Sequence, residues 1–141
     1  MGDYHRNLKA LGEGKTEYQY DNPTANILET FPSPISETNQ SEIVIEAPEF
    51  TSLCPVTGQP DFARIVIAYT PDKLCVESKS LKLYLGAFRM HRGFHEECVN
   101  RIVDDLVSVL NPVRIRVEGQ FTPRGGIKLW PSVTWEKKGA S

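Results

Sequence analysis

Leu81-Lys82-Leu83-Tyr84-Leu85-Gly86-Ala87-Phe88, then His91-Arg92-Gly93, then Phe94-His95-Glu96-Glu97-Cys98-Val99-Asn100-Arg101-Ile102-Val103-Asp104-Asp105-Leu106 is the stretch on which the fold turns. Leu81, Tyr84, Leu85 and Phe88 fall at i, i+3, i+4 and i+7, the spacing of one apolar helix face. His91-Arg92-Gly93 breaks that helix. The period resumes with Cys98, Ile102, Leu106 and Val109 on one stripe and Val99, Val103 and Leu110 beside it, until Asn111-Pro112 stops it. Two helices in succession therefore occupy the middle of the chain.

Strand patterns stand on both sides of this pair. Upstream, Phe62-Ala63-Arg64-Ile65-Val66-Ile67-Ala68-Tyr69 is rich in β-branched residues, and Glu42-Ile43-Val44-Ile45-Glu46 is a second, shorter run. Pro71-Asp72 turns the chain into a short extended piece, Leu74-Cys75-Val76-Glu77. Downstream come Val113 to Phe121 and Ile127-Lys128-Leu129-Trp130, joined by Thr122-Pro123-Arg124-Gly125-Gly126. An extension of the last strand through Val133 and Trp135 meets Pro131, which marks an edge or a bulge. Strand, strand, helix, helix, strand, strand predicts an α+β domain: a four-stranded antiparallel sheet with both helices on one face. Such a sheet leaves two open edges, and in a short chain another subunit is the natural cover.

The 141 residues suit one domain, divided here into an N-terminal arm, 1–37, and a single patterned domain, 38–141. The arm is polar, punctuated by Gly12-Glu13-Gly14, Pro23, Pro32 and Pro34, with room for one short helical turn. A formal net charge of -2 offers no basic field for nucleic acid or an anionic membrane. The longest apolar run, Ile65-Val66-Ile67-Ala68, is too short to cross a bilayer, and Met1 to Arg6 carries no apolar signal core. Three widely spaced cysteines, Cys54, Cys75 and Cys98, fit free thiols in a reducing compartment rather than a disulfide framework. A cytoplasmic location is expected.

Gly14-Lys15-Thr16 ends like a phosphate-binding loop, but Lys9 stands where the first glycine is required and no strand precedes it. No Gly-x-Gly-x-x-Gly follows a strand, so a dinucleotide must bind by some other device. Cys54 lies in the loop Cys54-Pro55-Val56-Thr57-Gly58-Gln59-Pro60-Asp61 between two strands. A lone cysteine is commonly a small buried hydrophobe, yet a loop held by rigid strands is where chemistry is displayed. Asp61 at the far mouth of that loop places an acid opposite the thiol. Glu77-Ser78-Lys79-Ser80-Leu81-Lys82 opens the first helix: Ser78 or Ser80 can cap it, and its N-terminus with Lys79 and Lys82 can take an anion. Glu96 and Glu97 suit the positive end of the second helix, and one of them facing a cleft can accept hydrogen bonds from a guanine-like edge. Arg124-Gly125-Gly126 makes a tight turn with an arginine at its tip, free to reach a phosphate.

Four blocks together, Cys54-Pro55-x-Thr57-Gly58-Gln59-Pro60-Asp61-Phe62, Glu77-Ser78-Lys79-Ser80-Leu81-Lys82-Leu83-Tyr84, Phe94-His95-Glu96 and Phe121-Thr122-Pro123-Arg124-Gly125-Gly126, resemble the short, single-module nitrile reductases of queuosine biosynthesis in the tunnelling-fold superfamily. The resemblance runs from about Pro34 to Trp135. It implies reduction of the nitrile of 7-cyano-7-deazaguanine to a primary amine with two NADPH. It implies Cys54 as the nucleophile that forms a thioimide and Asp61 as the proton donor. Val76, Glu77, Ser78, His95 and Glu96 correspond to substrate contacts, and Ser78, Lys79, Arg124 and Gly125 to NADPH contacts. It implies no catalytic metal, and a ring-shaped homo-oligomer, two pentamers face to face.

Two other functions remain open to these residues. A zinc-dependent purine cyclohydrolase of the same fold would use His95, Cys98 and Cys54 as ligands, although the Cys-x-x-Cys of such enzymes is missing. A non-catalytic purine-binding module would leave Cys54 dispensable. Cys98 has two readings of its own. It lies on the apolar stripe with Ile102 and so reads as core; sharing a face with His95, it also reads as a partner for a reversible Cys54–Cys98 disulfide.

Overall fold

The computed structural model describes residues 18–139; Gly12-Glu13-Gly14 and Gly14-Lys15-Thr16 lie outside them. Four strands, β2 (Ile43–Leu53), β3 (Pro60–Thr70), β5 (Arg114–Phe121) and β6 (Ser132–Glu136), form one antiparallel sheet in the order β2-β3-β5-β6. The two helices, α1 (Ser78–Gly86) and α2 (His95–Leu110), lie between β3 and β5 in sequence, as the periodicity predicts. A 3-10 turn at Ala25–Ile27 is the short helical turn expected of the arm.

Alternation along the strands decides which sheet face is covered. Ile65, Ile67 and Tyr69 of β3 pair with Gly119, Val117 and Ile115 of β5, and nearly all of these side chains point into the core. Arg64, Arg116 and Glu118 take the opposite face, where Arg116 bonds Glu118 at 2.9 Å. The apolar stripe of α2, with Val99, Ile102, Val103, Leu106 and Leu110, is buried against that inner face, and α1 adds Leu81, Tyr84 and Leu85. Each such side chain taken fully from water contributes roughly 1.5–3 kcal/mol. Tyr84 ties the helices together by donating its hydroxyl hydrogen to Asp105 Oδ2 at 2.7 Å. Asn111 in the left-handed region (φ 45°) and Pro112 end α2.

Three features depart from the reading of the sequence. β2 runs well past Glu46, through a bulge between Ala47 and Phe50 that accommodates Pro48. Thr30–Pro32 of the arm is a strand, β1, paired antiparallel with β4 (Leu74–Val76) in a separate two-stranded sheet. Runs of three residues are too short for alternation to show. Finally, Ile127 to Trp130 is not a strand. The chain leaves β5 at Thr122, turns back at once through Arg124 and Ile127, and rejoins the sheet only at Ser132. Pro123 and Pro131 bracket this excursion, each lacking the N–H a ladder needs.

Candidate active site

β2 and β3 are consecutive antiparallel strands, so the loop between them must reverse the chain. It does so within Cys54–Gln59, closed by the Cys54 N–H donating to Gln59 O and the Gly58 N–H to Cys54 O, both at 2.9 Å. This curl aims the Thr57 hydroxyl and the backbone N–H groups of Thr57 and Val56 at the Cys54 sulfur. Those hydrogen bonds, the Thr57 hydroxyl first, bring the half-buried thiol down to about 7; Arg124 adds a smaller push in the same direction. The thiolate is therefore substantially populated near neutral pH.

Asp61 opens the inner face of β3, opposite Ser52, and is buried with only 5% of its surface exposed. Its two carboxylate oxygens face different partners: Oδ1 accepts from the Arg124 guanidinium, and Oδ2 lies 3.8 Å from His95 Nδ1. Arg124 reaches this point from a tight hairpin. The Arg124 and Ile127 backbones exchange two 3.0 Å hydrogen bonds around Gly125 (φ 59°) and Gly126 (φ 78°), the type I′ geometry that favours glycine at both positions. His95, the first residue of α2, is stacked on Phe121 with ring centroids 3.8 Å apart and planes 2° from parallel. Burial lowers the His95 pKa, the main cause, against an upward pull from Asp61, so the ring is neutral near pH 7. Gln59 to Phe62, His95 and Phe121 to Arg124 enclose a cavity of about 160 Å³.

The structure thus gathers Cys54, Asp61, His95 and Arg124, with Gly125 at the hairpin tip. Glu96 stands beside them in the first turn of α2, exposed and with no side-chain hydrogen bond among the described residues. Val76, Glu77, Ser78 and Lys79 do not line this cavity; they form the junction of β4 and α1. There the expected serine cap is corrected. Glu77 is the N-cap, its carboxylate accepting from the Lys79 N–H at 2.7 Å and the Ser80 N–H at 2.8 Å. Ser80 turns away, donating to Glu77 O and accepting the Glu29 N–H at 2.9 Å, which fastens the arm to α1. A carboxylate satisfies those helix N–H groups more strongly than a hydroxyl does. Ser78 is exposed and Lys79 half-buried.

The ligand set imagined for zinc, His95, Cys98 and Cys54, is not brought together: among the described residues the one converging group of three metal-ligating side chains is His91, Glu97 and Cys98. Cys54, Cys75 and Cys98 are all free. Cys98 is fully buried, and burial pushes its thiol up to about 12, as the core reading requires. Two contributors escaped the sequence. Thr57 was visible in the motif only as a turn residue, although a hydroxyl three positions after a loop cysteine is a signal for thiolate stabilisation. Phe121, the stacking partner of His95, reads simply as the end of a strand.

The family model described as QueF-like protein matches residues 60–140. The NADPH-dependent 7-cyano-7-deazaguanine reductase of Streptococcus mutans serotype c is 54% identical over 126 residues, spanning 89% of this chain and 76% of the relative. That of Bacteroides thetaiotaomicron is 50% identical over 139 residues, spanning 99% of this chain and 90% of the relative. The crystal structure of the archaeosine synthase QueF-Like in the apo form superposes with a TM-score of 0.61 over 70% of this chain and 95% of that one, at 15% identity, and so shares the fold. With half or more of the aligned residues identical to such relatives over 89–99% of its length, this chain belongs to the family of NADPH-dependent 7-cyano-7-deazaguanine reductases.

Proposed function

We infer that this chain reduces the nitrile of 7-cyano-7-deazaguanine to the primary amine, in queuosine biosynthesis, through a covalent thioimide on Cys54. The observation that carries the reading is the thiol brought down to about 7 at one end of a short loop whose other end holds the buried carboxyl of Asp61. A nitrile accepts a hydride poorly. Attack of the Cys54 thiolate on the nitrile carbon breaks one C–N π bond, and its electron pair goes to nitrogen, which Asp61 protonates. The resulting C=N carbon is more electrophilic. NADPH, when bound, supplies hydride, and two equivalents with two protons account for the four electrons between nitrile and amine. Collapse after the first hydride returns the thiolate of Cys54 and leaves an imine for the second. Arg124 fits the charged cofactor: its guanidinium is 42% exposed at the tip of a tight hairpin, within reach of the reacting thiol. Lys79, Ser78 and Gly125 complete the cofactor contacts on this reading, and Val76, Glu77, Ser78, His95 and Glu96 the substrate contacts.

Mixing protein, NADPH and the nitrile tests the whole: loss of the cofactor absorbance with two NADPH consumed per amine formed is expected, and no nitrile-dependent oxidation would overturn it. Adduct formation without NADPH should rise with pH and level off above about 7, because the thiolate is the attacking form and its pKa lies there. Thr57→Val should move that midpoint upward, toward the 9.0 of an ordinary thiol. Arg124→Ala should raise the KM for NADPH about tenfold or more, the cost of one charge-assisted contact, and the nitrile KM less. A larger effect on the nitrile would move Arg124 to the other subsite.

The same reading includes assembly. A cavity of about 160 Å³ is smaller than the roughly 300–1,000 Å³ of ordinary small-molecule sites. Val56, Phe62, Phe94, Ile127, Leu129 and Trp130 are exposed apolar side chains close to it in sequence or space. Both support a ring-shaped homo-oligomer, two pentamers face to face, in which the β4–α1 junction of one subunit completes the cavity of the next. Light scattering that finds an active monomer would remove this part. Residues 38–141 are then the catalytic unit and 1–37 the arm, clasped to it through Thr30–Pro32. Free cysteines support placing it in the cytoplasm, and no helix among the described residues is long and apolar enough to cross a membrane.

A further inference from the structure

Behind the nucleophile loop, three side chains with metal-ligand chemistry meet. His91 Nε2 stands 3.1 Å from Glu97 Oε2, and these two atoms and Cys98 Sγ all lie within 4.8 Å of one another. They converge over the bare Cα of Gly93. A methyl group there would collide with Glu97 Oε2 and come within 3.0 Å of His91 Nε2 and 3.2 Å of Cys98 Sγ. Glycine at position 93 is therefore what lets the three donors approach one another this closely.

The surroundings hold the donors in place. Glu97 uses its other oxygen, Oε1, to accept from Arg101 Nε at 3.1 Å. The His91 ring meets Phe88 edge-on, centroids 5.6 Å apart. Ser52 Oγ is fully buried beside the Cys98 sulfur and has no other hydrogen-bond partner among the described residues. The cluster is also bolted to the catalytic strand: the Leu53 N–H donates to His91 O at 2.9 Å and the Gly93 N–H to Leu53 O at 3.1 Å, one residue before Cys54.

We propose that His91, Glu97 and Cys98 form a binding site for a thiophilic divalent cation of the zinc class, with Ser52 Oγ or a water as fourth ligand. One imidazole, one thiol and one carboxylate make a donor set that suits zinc or cobalt and disfavours magnesium and calcium. Ligand atoms around tetrahedral zinc sit roughly 3.3–3.6 Å apart, so the donors need close in by only about an ångström. Binding replaces the Cys98 S–H with an S–metal bond and releases one proton to solvent. The cation takes no part in nitrile reduction; it braces Leu53, and through it the loop that presents Cys54.

The test is a titration of the reduced, full-length protein with cobalt(II), which reports thiolate ligation by a charge-transfer band in the near ultraviolet. One cobalt per chain with that band is expected, displaced by zinc and kept in Cys54→Ala. Cys98→Ser should abolish the band. His91→Ala and Glu97→Gln should each weaken binding at least about tenfold, since even outer-shell changes at metal sites cost 10–100-fold. The proposal is overturned by wild-type protein without a thiolate band, by a band that survives Cys98→Ser or disappears in Cys54→Ala, or by unaltered affinity in the His91 and Glu97 variants. None of these readouts needs substrate, so the outcome is independent of the reductase assignment.

Discussion

Cys54→Ala is expected to lower nitrile reduction by at least about 10³-fold, with the nitrile still bound. Removing a nucleophile that splits one difficult step into two leaves only binding and positioning, and in enzymes of this kind the loss reaches several orders of magnitude. The loop makes this variant a clean one. Cys54 holds the turn through its backbone N–H and carbonyl, bonded to Gln59 and Gly58, so truncating the side chain leaves those hydrogen bonds in place. The side chain is half-buried and outside the main core, so little stability is at stake. Intact-mass measurement with the nitrile and no NADPH separates the alternatives. Wild type should gain the mass of the substrate and the alanine variant none, while equilibrium binding persists in both. An adduct on the variant, or unchanged turnover, would assign the chemistry to another residue, and no nitrile-dependent NADPH oxidation by wild type would make the protein a purine-binding module with a dispensable thiol.

How much of this was legible depended on the range over which each signal acts. The helices were legible because Leu81, Tyr84, Leu85 and Phe88, and then Cys98, Ile102 and Leu106, repeat over several turns and face a single core. The four-stranded antiparallel sheet, though not its strand order, followed because strand patterns and helix placement left one economical α+β arrangement. β4 was legible as a short extended piece, but β1 and its pairing with β4 were not, since that pairing joins three residues to three others across more than forty positions of chain. The excursion from Thr122 to Pro131 was misread because Ile127, Leu129 and Trp130 look like strand residues, yet in a single chain their side chains are largely exposed. The cap of α1 was misread for a different reason. Ser78 and Ser80 are good N-cap residues, but Glu77 stands one position earlier and its longer side chain reaches both free N–H groups at once. In the site, the residue types at Cys54, Asp61 and Arg124 were visible in the motifs. That Arg124 rests on Asp61 was not, because contact between β3 and a hairpin tip sixty-three positions away is a property of the fold.

That contact bears directly on the second large effect. Asp61→Asn is expected to reduce kcat by about 10²–10⁴-fold, the usual worth of a positioned general acid, and to change the nitrile KM much less. Asparagine keeps the shape of the side chain and an oxygen for the Arg124 guanidinium, but it has no acidic proton to give. In the ligand-free chain the Asp61 carboxylate is held by Arg124 on one side and lies 3.8 Å from His95 on the other. To act as the donor it must carry a proton when the thiolate attacks. Among the described residues that line the cavity, His95 is the one other group that could replace it, since Arg124 does not give up its proton. Burial lowers the His95 pKa, so its ring has no surplus proton near pH 7 and gains one only as the pH falls. The two donors therefore predict different profiles. With Asp61 as the acid, Asp61→Asn is slow at every pH from 6 to 8, and His95→Gln retains most of kcat. With His95 as the acid, Asp61→Asn would turn over nearly normally and gain activity toward the acidic end of that range. Measuring kcat for both variants across those pH values, with mass detection of the Cys54 adduct, decides between them.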